Sequence, residues 1–252
     1  MIGVSCTGFS ARPLEEILEE VSHEFTHWEI VSEAEHSIGH IWERLKNAMG
    51  CYDLTYSLHT PISDANIASL SDRMRESSVL EMIANVELAS ALGIGTITVH
   101  PGLESMSVPG MKEKSMENAK RSLRILDRTA TEYGVTLAIE NMPRFPPMLG
   151  KTAEELKELI DGTGLSICFD VGHAHTNNQI EEMISTFKDR MANIHVHDNN
   201  GESDEHLTVG DGTVDFPGTM RSLGGYEGKY VIESKSLASA VESKRRLSIL
   251  LE

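Results

Sequence analysis

Short apolar runs recur along this chain, and each is followed by a longer stretch whose apolar positions fall three or four residues apart. The first run, Ile2 to Cys6, leads through a Gly/Ser/Pro loop into an amphipathic segment from Pro13 to about Val21. Proline suits a helix start, where its missing N–H would be unpaired anyway. His27 to Val31 reads as a second strand with Glu29 and Glu33 near its end, and Ile38 to Met49 as a helix. Leu54 to Leu58 is a third strand that stops at His59-Thr60-Pro61. Asp72 to Leu92 has long helical periodicity and closes at Gly93, a C-terminal cap. Gly95 to Val99 ends at His100-Pro101-Gly102, and a helix follows from about Met111 to Tyr133. Thr136 to Ile139 ends at Glu140-Asn141; beyond a Pro-rich loop, Thr152 to Glu155 is a capping-box helix start. Ser166 to Asp170 is the sixth strand, and Gln179 to Met191 the sixth helix. Ala192 to Ile194 leads to His195, and a polar loop from Asn199 to Val214 precedes a short helix near Pro217. Tyr230 to Ile232 ends at Glu233, and Leu237 to Leu251 is the last helix.

Strands and helices thus alternate strictly, eight of each, with no compositional break that could act as a linker. Alternation implies parallel strands, and eight units in this length imply an α/β protein, a single (β/α)8 barrel spanning residues 1–252. An open doubly wound sheet is the competing arrangement, but no Gly-rich phosphate fingerprint follows the first strand. Only 5% of residues are aromatic against 40% hydrophobic, so aliphatic packing is expected to dominate the core. A formal charge of −17 argues against a global grip on nucleic acid, which draws on clustered Lys and Arg. Cys6, Cys51 and Cys168 are scattered and unpaired in sequence, the pattern of reduced thiols rather than a disulfide frame. With no apolar run long enough to span a bilayer and a strand beginning at Ile2, a soluble cytoplasmic protein is expected.

The chemistry gathers where the strands stop. Strands three to eight end on His59, His100, Glu140, Asp170, His195 and Glu233, while His173, Asp204 and His206 lie in the segments that follow. In a barrel of this kind all C-terminal strand ends share one face. Carboxylates held that close repel one another unless a cation intervenes. Mixed His, Asp and Glu donors suit Zn²⁺, Mn²⁺, Fe²⁺ or Co²⁺, whereas Ca²⁺ prefers an all-oxygen shell. Each residue alone has a plainer reading: His59 as a satisfied loop histidine, Asp170 as a helix cap, Glu140 as the partner of a lysine. Six consecutive strands ending this way favour a metal site. His23, His27, His36 and His40 are expected to be solvated on early helices or loops. His175 and His197 are ambiguous, and His197 is expected to point away from the interior if His195 points in. The methionines read as packing, the Glu-rich stretch Leu14 to Glu20 as a solvated face, and no nucleophile elbow is present.

The phrases Ser57-Leu58-His59, Thr98 to Gly102, Ala138 to Asn141, Cys168 to His173, Ile194 to Asp198, Asp204-Glu205-His206 and Val231 to Ser234 together resemble the xylose-isomerase-like TIM-barrel superfamily. That superfamily joins sugar isomerases and epimerases to the endonuclease IV apurinic-site nucleases. The resemblance implies that Glu140, Asp170, His195 and Glu233 match the four ligands of the single metal in the epimerase branch. It implies for the nuclease branch that His59 and His100 join Glu140 at one zinc, while His173, Asp204 and His206 hold another. One to three divalent ions, Zn²⁺ or Mn²⁺, are therefore expected. The loops depart from the nuclease pattern: Glu140 is followed by Asn-Met-Pro-Arg-Phe-Pro-Pro rather than Asn-Thr-Ala-Gly, and Val171-Gly172 replaces Thr-Cys.

On this basis the expected activity is metal-dependent isomerisation or epimerisation of a small sugar or sugar phosphate. Glu140 and Glu233 would exchange the proton, and His173 would donate to a substrate oxygen. Arg144, Lys235 and Asn141 are the candidate substrate contacts. The alternative is zinc-dependent hydrolysis of DNA at apurinic sites, with DNA a partner only in that case.

Overall fold

The computed structural model describes residues 1–251 and is a closed barrel of eight parallel strands in sequence order. They are β1 (Ile2–Ser5), β2 (His27–Val31), β3 (Thr55–His59), β4 (Thr96–Val99), β5 (Thr136–Glu140), β6 (Ser166–Asp170), β7 (Met191–Val196) and β8 (Lys229–Glu233). The barrel closes through β1 and β8, whose register runs from Ile2 opposite Tyr230 to Ser5 opposite Glu233. Around it lie α1 (Leu14–Glu24), α2 (Ile38–Ala48), α3 (Asp72–Ala91), α4 (Lys112–Tyr133), α5 (Ala153–Leu159), α6 (Val171–Thr176), α7 (Ile180–Phe187), α8 (Phe216–Ser222) and α9 (Leu237–Leu251). Among the described residues no helix is long and apolar enough to cross a membrane.

Local chemistry explains the boundaries. In α1 the buried side chains are Leu14, Ile17, Leu18 and Val21, one stripe at helical spacing facing the strands. The α4 helix stops at Gly134, whose φ of 67° is the left-handed conformation that glycine takes at least cost. At α5 the Thr152 hydroxyl accepts from the Glu155 N–H at 3.2 Å, and the Glu155 carboxylate accepts from the Lys151 N–H at 3.1 Å. Between β6 and β7 the structure has two helices where the periodicity predicts one. The extra one, α6, is only six residues long, and the side chain of Asp170 caps it by accepting from the His173 N–H at 2.6 Å. The predicted sixth helix is shorter than expected, because Lys188–Arg190 form a 3-10 turn and Met191 already belongs to β7.

Strand residues alternate between two environments. Trp28, Ile30, Tyr56, Leu58, Ile97, Val99, Ile167, Phe169, Ile194 and Val196 join the apolar layer between strands and helices. Their neighbours, among them Glu29, Ser57, Thr98, Glu140, Asp170, Asn193 and His195, are buried inside the barrel. The interior is therefore polar, and the core is mainly the annulus outside it. This overturns the expectation for two histidines. His27 is fully buried in β2, with Nδ1 2.8 Å from the Thr55 hydroxyl and Nε2 3.0 Å from that of Ser57. His36 is fully buried too, with Nε2 2.9 Å from the Arg12 carbonyl and its ring edge-on to Trp28. A hydrogen-bonded imidazole is a tolerable core residue, so polarity alone misplaces it. His23 and His40 are exposed as expected.

Candidate metal centre

Six neighbouring strand ends, β3 to β8, and the segments after them bring most of the sequence-predicted residues to one mouth of the barrel. Glu140 terminates β5, Asp170 terminates β6, His195 lies near the end of β7 and Glu233 terminates β8. Register sets Asp170 beside His195. One donor atom from each of these four residues lies within 4.8 Å of all the others. His195 Nδ1 is 3.1 Å from Glu140 Oε1 and 3.1 Å from Glu233 Oε1, and 3.9 Å from Asp170 Oδ2. Asp170 Oδ1 is used to cap α6, but its Oδ2 is buried without a hydrogen-bond partner. A buried carboxylate oxygen left that way is costly, and an ion at this point would satisfy it. Three carboxylates and an imidazole fit a first-row divalent cation such as Zn²⁺ or Mn²⁺.

Burial alone would raise the Glu140 carboxyl, but His195, His100 and His59 outweigh it and hold it well below the usual range. Glu233 behaves alike: burial opposes its charge, and His195 overcomes that and keeps it ionised. For His195 burial favours the neutral ring, yet the anions around it push its pKa well above 6.5. The site is thus a concentration of negative charge in a poorly solvated place, which protons or a divalent cation can neutralise.

Two further groups adjoin it. His59 Nε2 and His100 Nε2 lie 3.1 and 3.0 Å from the other Glu140 oxygen, Oε2, so that Glu140 stands between two clusters. Burial lowers the His100 pKa, whereas at His59 the carboxylates overcome burial and raise it. On the other side His173 Nε2 and His206 Nε2 approach Asp204 Oδ2 at 3.3 and 3.1 Å. His197 belongs to this last group, with Nε2 3.5 Å from Asp204 Oδ1 and 3.1 Å from Asp170 Oδ1. The expectation that it would face away is wrong: strand alternation puts residues two apart on one face, so His195 and His197 point the same way. His175 instead lies beside Thr213, 2.9 Å from its hydroxyl, outside these clusters.

A cavity of about 300 Å³ opens above the centre. Its walls combine Glu140, His173, Asp204 and Glu233 with Val31, Ile62, Met142, Pro143 and Met148. Lys235 lines it from the rim. Arg144 does not: its guanidinium donates to the Gly201 carbonyl at 3.1 Å and is spent on the facing loop. Asn141 is buried and clamps the end of β6, donating to the Asp170 carbonyl and accepting from the Asp170 N–H, both at 2.8 Å. Its contacts are those of a structural clamp between strands. Cys6 also lines the cavity, but burial raises its pKa and favours the thiol.

Two residues that sequence reasoning passed over hold the centre in place. Glu29, fully buried in β2, sets Oε1 2.7 Å from His195 Nε2 as an ion pair, while its Oε2 accepts from the Ser57 hydroxyl at 2.8 Å. This leaves Nδ1 of His195 facing the other donors, a carboxylate–histidine arrangement that orients metal-binding rings. Asp198 accepts from the backbone N–H groups of Asn199, Gly210, Gly212 and Val214 at 2.8 to 3.1 Å, which folds the loop carrying Asp204 and His206 back onto the mouth. The period-two spacing of His27, Glu29 and Val31 was the available signal for the first. The second closes the quoted phrase Ile194 to Asp198, which gave no sign of its role in the loop.

Comparisons with known proteins agree with this geometry. A family model described as xylose isomerase-like TIM barrel matches residues 19–249. An uncharacterized protein of Methanocaldococcus jannaschii is 34% identical over 262 residues, covering 99% of this chain and 89% of that protein. The crystal structure of a D-tagatose 3-epimerase-like protein superposes with a TM-score of 0.91 at 31% identity, covering 99% of this chain and 96% of that one. A probable endonuclease 4 of Acholeplasma laidlawii is 26% identical over 177 residues, 63% of this chain and 59% of that protein. By its match along most of its length and by the barrel it forms, the chain belongs to the xylose isomerase-like TIM-barrel family.

Proposed function

We propose that the protein is a divalent-metal-dependent isomerase or epimerase of a small sugar or sugar phosphate. The observation that carries this reading is the convergence of Glu140, Asp170, His195 and Glu233 beneath a cavity of monosaccharide size with a partly apolar wall. An ion held by those four residues would supply Lewis-acid stabilisation of negative charge on adjacent substrate oxygens. Glu140 and Glu233 approach the centre from β5 and β8, on different sides of the mouth. One takes the proton from the carbon next to the carbonyl, and the other returns one to the opposite face. His173, raised well above 6.5 because nearby Asp170 and Asp204 overcome its burial, donates to a substrate oxygen. Arg144 is engaged elsewhere, so Lys235 is the one Lys or Arg among the described residues lining the cavity, and it would anchor a phosphate if the substrate carries one.

The test is proton exchange. Protein loaded with Mn²⁺ or Zn²⁺ is incubated with a panel of ketoses and ketose phosphates in D₂O, and products are examined for deuterium at one carbon. Deuterium incorporation that needs the metal supports the reading; a fully loaded protein that exchanges no proton with any member of the panel refutes it.

A second reading is favoured by one observation. The His59, His100 and Glu140 group and the His173, Asp204 and His206 group flank the four-donor centre, as the nuclease branch would require. Cleavage of a duplex with one abasic site by fully loaded protein would establish that reading.

A further inference from the structure

Beneath the four-donor centre, two pairs of polar side chains from β2 and β3 touch one another inside the barrel. Register sets His27 beside Thr55 and Glu29 beside Ser57. From the centre downward, His195 Nε2 is 2.7 Å from Glu29 Oε1, and the Ser57 hydroxyl donates to Glu29 Oε2 at 2.8 Å. His27 Nε2 then lies 3.0 Å from Ser57 Oγ, and its Nδ1 lies 2.8 Å from Thr55 Oγ1. Thr55 opens β3 and is exposed at the end of the barrel away from the cavity. Room is left for the imidazole, since a Cβ on Gly3 of β1 would stand 2.5 Å from its Cδ2.

Donor counting places the protons. A hydroxyl has one to give, and Ser57 gives it to Glu29. The Ser57 oxygen therefore accepts from His27, so Nε2 of His27 carries a hydrogen. Burial, followed by repulsion from Lys229, lowers the His27 pKa to about 4, so the ring is neutral and Nδ1 accepts. Its donor is the Thr55 hydroxyl, because the Thr26 carbonyl nearby is already served by the Thr55 N–H. Every donor in the series thus points toward Glu29, and hydrogen bonds aligned in this way polarise one another. We infer that Ser57 and His27 are positioning residues for the metal centre, acting through Glu29 to hold the His195 ring with Nδ1 toward Glu140 and Glu233. Glu29 orients His195 only while its carboxylate cannot turn, and Ser57 fixes the second oxygen. His27 offers Ser57 a proton and no lone pair, which leaves Glu29 to receive the hydroxyl. The role concerns how an ion is held, whatever reaction the loaded protein performs.

The experiment uses full-length protein with ¹⁵N-labelled histidine, loaded with Zn²⁺ at neutral pH. Long-range proton–nitrogen spectra should show His27 as the neutral ring protonated at Nε2; a ring protonated at Nδ1, or at both nitrogens, overturns the inference without need of any variant. Zn²⁺ affinity is then read by chelator competition, following the ion whose binding shifts the His195 signals. Ser57→Ala should weaken it about tenfold, the low end for loss of an outer partner. His27→Asn, whose amide stops at the Nδ1 position, should weaken it about threefold, while His27→Gln, whose amide reaches the Nε2 position and can donate to Ser57, should restore it to within about twofold. In a Glu29→Gln background Ser57→Ala should change affinity by less than about twofold, because its route to His195 is already cut. Unchanged affinity in Ser57→Ala overturns the inference, and so does an equal loss in both backgrounds. A lower melting temperature with wild-type affinity would make Ser57 and His27 packing residues and overturn it as well. None of these readouts involves turnover, so a protein that meets them all yet exchanges no substrate proton would keep this positioning role and refute the proposed function.

Discussion

Glu29→Gln isolates what a buried carboxylate does for a neighbouring imidazole. Glutamine keeps the volume and one acceptor oxygen but removes the charge facing His195 Nε2 at 2.7 Å. Glu29 is fully buried, and burial by itself would raise its pKa; His195, then His59 and Ser57, outweigh that and keep it ionised. The pairing of Nε2 with this anion leaves Nδ1 of His195 on the side of Glu140 and Glu233, where it would meet an ion. Loss of such an outer partner weakens metal binding by about 10- to 100-fold, or about 1.4 to 2.7 kcal/mol. Fold stability should fall too, by about 1 to 3 kcal/mol, since Ser57 and Asn193 lose a charged acceptor in a dry interior. Metal affinity is read by competition with a chelator, and stability by thermal unfolding of metal-free protein. Affinity within twofold of wild type would refute the orienting role. A lower melting temperature with unchanged affinity would make Glu29 a packing residue only.

Three further outcomes follow from the same geometry. His27 is held near pKa 4 by burial, followed by repulsion from Lys229, while an unfolded histidine titrates near 6.5. The unfolded chain therefore binds a proton first, and stability should fall as pH drops from about 6.5 to about 4, by about 3 kcal/mol in all. Urea melts across that range should show a shallower acid slope in His27→Gln, and an identical slope would refute the assignment. Gly172→Ala should cost about 1 to 3 kcal/mol through overpacking against His197, whereas an unchanged melting temperature would mean that the ring has room to yield. Glu233→Gln should abolish substrate–solvent deuterium exchange under the proposed mechanism; full exchange in the loaded variant refutes a proton-transfer role for Glu233.

The alternation of elements was legible because a parallel strand packed on both sides reads as a short run of β-branched and aliphatic residues, such as Thr96 to Val99. The residues at the strand ends were legible for a related reason. Polar groups that close an apolar strand at six successive positions are a pattern, and the barrel converts that pattern into a cluster. Asp170 shows the limit of reading residues singly, since it caps α6 with one oxygen and turns the other toward the centre. The helix-cap meaning is met by the first oxygen, and the second is left unpaired where an ion would sit.

Other features depended on closure of the sheet. Asn193 donates to Glu29 across 164 residues of sequence, and His195 meets the same carboxylate, because β2 and β7 face each other across the barrel interior. A glutamate in the middle of a strand carries no local mark of that partner, and a solvated one would look the same. Arg144 likewise reads as a free cation beside the site until the loop after β7 folds over and takes its donors. Local periodicity, burial pattern and strand-end chemistry act over a few residues, so the chain carries them openly. Which buried charges meet, and which cations remain free, is set by contacts between segments far apart in sequence, and those exist only once the barrel has closed.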